Sequence, residues 1–131
     1  MCIFCKIINK TIPASIIYED DVVIAILDIA QVTKGHTLVI PKKHFDNIYT
    51  VDDDTLAHMM IVTKRLAVEL KTKLNAKGIN ILNNNEPLAG QSVEHLHFHI
   101  IPRYDENDRI VCEFKESNID YQEVFTILTK K

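Results

Sequence analysis

The chain has 131 residues, 47% of them apolar and 25% charged, with a net charge of −3. That length fits a single domain over residues 1–131 with a real core. The charge balance and the lack of a basic run argue against nucleic-acid binding. No apolar run approaches the ~20 residues of a membrane helix, and no signal-peptide pattern opens the chain. A cytoplasmic protein is therefore expected. Cys2, Cys5 and Cys112 are an odd count for a disulfide framework. Cys2 and Cys5 form a C-x-x-C pair suited to metal or redox chemistry, and Cys112 reads as a small apolar residue.

Residues 3–9 suit a short helical segment and residues 16–18 a short strand. Residues 22–27 are an unbroken apolar run rich in β-branched side chains, hence a buried strand, ended by Asp28. Gly35 permits a turn, and residues 36–40 form the next strand, stopped by Pro41. The main helix spans residues 52–76, with Asp52, Asp53 and Asp54 at its positive end. Leu56, Met59, Met60, Thr63, Leu66, Leu70 and Leu74 follow the steps of a buried helical face, and Gly78 is placed as the C-terminal cap. Ile61, Val62 and Val68 lie on other faces, a second stripe that suggests a homodimer. His58 reads as an ordinary surface histidine. A strand at 79–82, a loop at 83–90, a strand at about 94–102, a charged turn at 104–109 and a weak helical pattern at 120–130 complete the chain. Antiparallel-style strands with one long helix and a short C-terminal helix make the class α+β.

The strand at 94–102 carries His95-Leu96-His97-Phe98-His99. Strand alternation puts the three imidazoles on one face, roughly 6.6 Å apart, and Leu96, Phe98 and Ile100 on the core face. The local pattern alone leaves two chemistries open, metal binding and phosphoryl transfer.

The wider pattern resembles the histidine-triad (HIT) family of nucleotide hydrolases and transferases, in its bacterial-type general branch. His95-Leu96-His97-Phe98-His99-Ile100-Ile101 is similar to its His-φ-His-φ-His-φ-φ signature, φ being apolar. The block from Gly35-His36-Thr37 to Pro41-Lys42-Lys43-His44 is similar to a second family block. Ile12-Pro13-Ala14 and Tyr18-Glu19-Asp20-Asp21 resemble the N-terminal block, and Gly90-Gln91-Ser92-Val93 precedes the triad as in the family. The resemblance implies a HIT-like fold and cleavage at the α-phosphate of a nucleotide. His97 would be the nucleophile, His99 would hold phosphate oxygens or the leaving group, and His36 would add a polar contact near the phosphate. Asp28 would accept from the ribose hydroxyls, and Asn84, Gln91 and Ser92 would lie near the phosphate and the scissile bond. It also implies a structural zinc held by Cys2, Cys5, His44 and His95. The substrate would be a purine nucleotide derivative, either a phosphoramidate or a dinucleoside polyphosphate. Two other readings stay open: a non-enzymatic nucleotide-binding module, and a protein that binds metal through the triad itself.

Overall fold

The computed structural model describes residues 2–110 and 113–130, so Cys112 lies outside the described residues. The elements run α1 (Ile3–Ile8), β1 (Ile16–Glu19), β2 (Val23–Leu27), β3 (Thr37–Pro41), α2 (Asp53–Lys73), β4 (Gly78–Leu82), a 3₁₀ turn (Pro87–Ala89), β5 (Phe98–Arg103) and α3 (Tyr121–Thr129). The five strands form one sheet in the order β1-β2-β3-β5-β4, antiparallel at every step. The α+β class is as the pattern of elements predicts.

The sheet is covered on both faces, which is why β2 and β3 read as continuous apolar runs rather than alternating ones. On one face α2 packs Met59, Val62, Leu66 and Ala67 against Val23, Ala25, Val39, Leu96, Phe98 and Ile100. On the other, Phe4 and Ile7 of α1 pack against Ile24, Ile26, Leu38 and Ile40. The Asp52 side chain caps α2 by accepting from the Thr55 backbone N–H, which satisfies one of the free donors of the first turn.

Three expectations are corrected here. Gly78 is not the cap of α2: the helix ends at Lys73, Asn75 takes the left-handed conformation at φ +56°, and Gly78 opens β4. Asparagine tolerates that region where most side chains do not. On α2, Val62 is buried whereas Met60 is exposed, so the outer apolar stripe consists of Met60, Ile61 and Val68. The histidine segment is a regular strand only from Phe98. Pairing to β3 and β4 ends at Phe98 and His99, and the preceding residues are held by other means. The Leu96 N–H bonds the Phe45 carbonyl at 2.7 Å, and the Asn83 side-chain amide donates to the His97 carbonyl at 3.0 Å.

At the far end, α3 is capped by Asp120, and none of its residues is buried. Among the described residues, no helix is long and apolar enough to cross a membrane.

Candidate functional site

The alternation of the histidine segment survives its departure from strand geometry. Leu96, Phe98 and Ile100 enter the core under α2, while the imidazoles turn to the α1 side. The rings of His97 and His99 stand 5.0 Å apart, and Phe4 meets both His95 and His97 edge-on. The three histidines do not converge on one ligand position, however. His95 joins Cys2, Cys5 and His44, whereas His99 joins His36 and Asp28. The triad as a single metal site is therefore not what the fold builds.

The cleft beside His97 has a volume of about 360 Å³, and Asp28, Ser92, His97 and His99 line it together with Phe4, Ile7 and other apolar side chains. Asp28 sits just past the end of β2. Its backbone N–H bonds the His36 carbonyl at 2.9 Å, and its Oδ1 accepts from the Ala30 N–H at 2.8 Å. Its Oδ2 is 3.7 Å from His36 Nε2.

The hydrogen bonds fix the tautomers of the cleft histidines. His97 Nδ1 lies 2.8 Å from the His95 carbonyl. A carbonyl only accepts, so Nδ1 carries the proton and Nε2 keeps its lone pair. The Val32 backbone N–H points at His36 Nδ1 at 3.3 Å, so the His36 proton sits on Nε2. That atom is 2.9 Å from His99 Nδ1, which must accept and leaves the His99 proton on Nε2. Burial favours these neutral rings. It lowers the pKa of His97 and of His36, and, with the neighbouring His97 and His36, it brings His99 down to about 4.

His36 thus stands behind the cleft wall rather than in it, and reaches a ligand only through His99. The turn that places it is tied down on several sides. Thr33 Oγ1 donates to the Pro102 carbonyl at 2.6 Å, and Gln31 Oε1 accepts from the Gly35 N–H at 2.8 Å.

The loop residues divide in a similar way. Ser92 faces the cleft and also lines an adjoining one of about 380 Å³ with Asn47, Glu86, Pro87, Gln91 and Glu94. Gln91 uses both ends of its amide on backbone, accepting from Glu86 N–H and donating to the carbonyls of Asp46 and Val93. Asn84 lines neither cleft and donates to the Gly90 carbonyl at 3.4 Å. Two contributors were missed in the sequence. Phe4 walls the cleft, and Asn83 holds the His97 backbone. The apolar spacing of residues 3, 4 and 7 was the signal available for the first. Nothing local distinguishes Asn83 within the run Asn83-Asn84-Asn85.

The second cluster brings together all four expected metal-ligating residues. Cys2 Sγ is 3.2 Å from Cys5 Sγ and 3.2 Å from His95 Nδ1, and Cys5 Sγ is 3.3 Å from His44 Nδ1. The other two sulfur–nitrogen separations are 3.6 and 3.7 Å. A tetrahedral zinc with bonds of ~2.3 Å to sulfur and ~2.0–2.1 Å to nitrogen spaces its donors roughly 3.4–3.8 Å apart. The sulfur–nitrogen separations fall in or just below that range and the two sulfurs sit closer than it, so four donors of the right type converge and need only spread slightly to hold such an ion. Both imidazoles have the matching tautomer: His95 Nε2–H donates to the Pro41 carbonyl and His44 Nε2–H to Asp46 Oδ1, each at 2.9 Å. Each Nδ1 lone pair is thereby turned to the sulfurs, and the outer partners orient the rings as supports of metal-bound histidines do.

Comparison with known proteins shows which family the fold and sequence belong to. The HIT domain family matches residues 9–106. A HIT-like protein of Methanocaldococcus jannaschii is 50% identical over 124 residues, covering 95% of each chain. The adenosine 5'-monophosphoramidase of Saccharomyces cerevisiae is 37% identical over 123 residues, covering 94% of this chain and 75% of the yeast protein. Among solved structures, a HIT family protein from Bacillus anthracis superposes with a TM-score of 0.92 at 45% identity, covering 98% of this chain and 92% of the other. A zinc-bound histidine triad family protein from Mycobacterium smegmatis gives 0.79 at 38% identity, covering 88% and 84%. With a family match over most of its length and relatives this similar across nearly all of it, the chain belongs to the HIT domain family.

Proposed function

We propose that the protein is a nucleotide hydrolase or transferase that cleaves nucleoside phosphoramidates at the α-phosphorus through a covalent nucleotidyl-His97. The observation that carries this reading is the His97 tautomer: its Nδ1–H is spent on the His95 carbonyl, so the lone pair is on Nε2, on a ring that lines the cleft. Nε2 attacks phosphorus, the new P–N bond forms, and the bond from phosphorus to the leaving amine breaks. The amine departs with a proton taken from solvent, while His99 Nε2–H, its other nitrogen occupied by His36, donates a hydrogen bond to the phosphate oxygens or the leaving nitrogen. Water then attacks phosphorus and gives its proton to solvent, the P–N bond to His97 breaks, and the nucleotide leaves with His97 regenerated. Splitting one displacement into two lowers each barrier, and fixed donors around the phosphate supply most of the remaining stabilisation.

His36 acts as a positioning residue, holding His99 in the tautomer that donates. Asp28 takes the ribose hydroxyls at the cleft edge. Ser92 serves the scissile bond, and Asn84 and Gln91 hold the loop that presents it. The yeast relative's name supports phosphoramidates as the substrate class. Zinc at Cys2, Cys5, His44 and His95 is part of the same reading, supported by the donor geometry and the zinc-bound mycobacterial relative. With four protein ligands it supplies a cross-link rather than an open catalytic position. The whole chain works as one cytoplasmic domain in this reading. It pairs with a second copy through the exposed Met60, Ile61 and Val68, and a monomer in sedimentation velocity removes that pairing.

The test is release of AMP from adenosine 5'-phosphoramidate by wild type and by His97→Ala. Release by wild type and its loss in the variant support the reading. No release by folded wild type, with AMP produced from a dinucleoside polyphosphate, assigns the other hydrolase branch. No release from either substrate overturns the enzymatic reading.

A further inference from the structure

The helix α1 is a wall common to both clusters. It has six residues, too few to persist on its own. Cys2 at its N-terminal cap and Cys5 in its first turn face His44 and His95. Ile3, Phe4 and Ile7 line the cleft of His97. One short helix is thus fastened by thiols on one side and by apolar packing on the other.

Two contacts run from the thiol cluster to His97. The Phe4 ring stands edge-on to His95 at 5.8 Å between centroids and to His97 at 5.1 Å. The His95 carbonyl accepts the His97 Nδ1–H at 2.8 Å, while the ring of His95 turns Nδ1 to the sulfurs. His95 therefore presents its ring to one site and its peptide oxygen to the other.

We propose that a metal held by Cys2, Cys5, His44 and His95 and a nucleotide held in the His97 cleft are thermodynamically linked through α1, each tightening the other's binding, with Phe4 as the positioning residue. The inference rests on the nucleotide reading of the cleft. Both ligands require α1 docked on the sheet, so each shifts the population toward the arrangement the other needs. Once one ligand has ordered the helix, the second binds without that cost. Linkage makes the effect reciprocal.

The experiment uses the full-length, zinc-loaded protein. Zinc affinity is measured by competition with a colorimetric chelator, with and without saturating AMP, and the chelator–zinc–AMP mixture alone sets the baseline. AMP is expected to raise zinc affinity about tenfold, within the usual range of coupling between sites. Calorimetry is expected to give an AMP Kd about tenfold tighter for loaded than for stripped protein, by the same reciprocity. The Phe4→Leu variant is expected to keep its zinc, with the AMP-dependent change in zinc affinity falling below about twofold as the ring contact is lost. Equal zinc affinity with and without AMP overturns the linkage, and AMP binding to that same protein leaves the nucleotide reading standing. Failure of AMP to bind the loaded protein overturns both. Undiminished coupling in Phe4→Leu overturns the role of Phe4. The competition needs only folded, loaded protein, so it decides the matter even where stripping unfolds the chain.

Discussion

His95 and His97 lie two residues apart, are both buried, and both give one ring N–H to a backbone carbonyl. They nevertheless belong to different clusters. His95 spends Nε2 on Pro41 and turns Nδ1 to two thiols. His97 spends Nδ1 on His95 and is left with Nε2 for the cleft. For a histidine, the hydrogen bond made by one nitrogen decides what the other is free to do. The two regions therefore differ less in composition than in which carbonyl each ring meets.

The sharpest way to break that comparison is to remove each ring in turn. His97→Ala is expected to reduce AMP release by at least ~10³-fold, since it removes the proposed nucleophile and with it the covalent route, while zinc content by atomic absorption stays at the wild-type level. His95→Ala is expected to do the reverse. Zinc is lost, and unfolding in denaturant shows a loss of about 3 kcal/mol from the emptied core position, with AMP release from the phosphoramidate reduced but still measurable. An inactive, zinc-free His97→Ala protein contradicts the division between the two sites.

Gly35→Ala tests the cleft side alone. Gly35 has φ +92°, and a Cβ there meets Leu74 Cδ1 and Pro102 Cγ. The strained backbone and the clash are expected to cost about 2 kcal/mol. The turn that carries His36 shifts with it, so AMP release falls while zinc content does not. Unchanged stability by thermal melting contradicts the tight approach of this turn to α2.

Titration sharpens the comparison further. The folded pKa of His99, about 4, lies below that of an unfolded histidine near 6.5, and that of His36 is lowered as well. Between those values the unfolded chain binds more protons, so the contribution of these two rings to stability falls as pH drops from about 6.5 toward 4 and levels off below. NMR of the His99 ring is expected to show it neutral at pH 6. A His99 midpoint near 6.5 contradicts the buried, neutral chain from His36 to His99.

Much of this was legible in the residues themselves. The runs at β2 and β3, the acidic start of α2 and the segregation of Leu96, Phe98 and Ile100 to the core all follow from local pattern. The membership of the Cys2, Cys5, His44 and His95 cluster came from the family resemblance instead, and the four side chains do converge. What local pattern could not supply was where strand pairing stops. The exit of residues 95–97 from the sheet depends on Phe45 and Asn83, which are distant in sequence or indistinct within a run. The same limit explains His36, whose ring is turned to His99 by a backbone N–H four residues earlier. It also explains Gly78, displaced as a cap because Asn75 takes the left-handed position first.

His58 provides the smallest test, one that lies outside both regions. Read from the sequence as an ordinary surface residue, it is 38% exposed and pairs with Asp20 Oδ2 at 2.7 Å. The same carboxyl oxygen accepts from the Tyr18 hydroxyl at 2.6 Å, and Asp20 Oδ1 accepts from the N–H groups of Val22 and Val23. Asp20 thus organises the turn between β1 and β2, and His58 joins that turn to α2. Because Asp20 keeps three other donors when the ring is removed, His58→Ala is expected to cost only about 0.5–1 kcal/mol, in the range of a partly exposed pair. Neither zinc content nor AMP release should move. A larger loss of stability, or any change in zinc content, would mean that the hairpin turn supports α1 across the sheet, and that the two histidine sites share a scaffold wider than the helix between them.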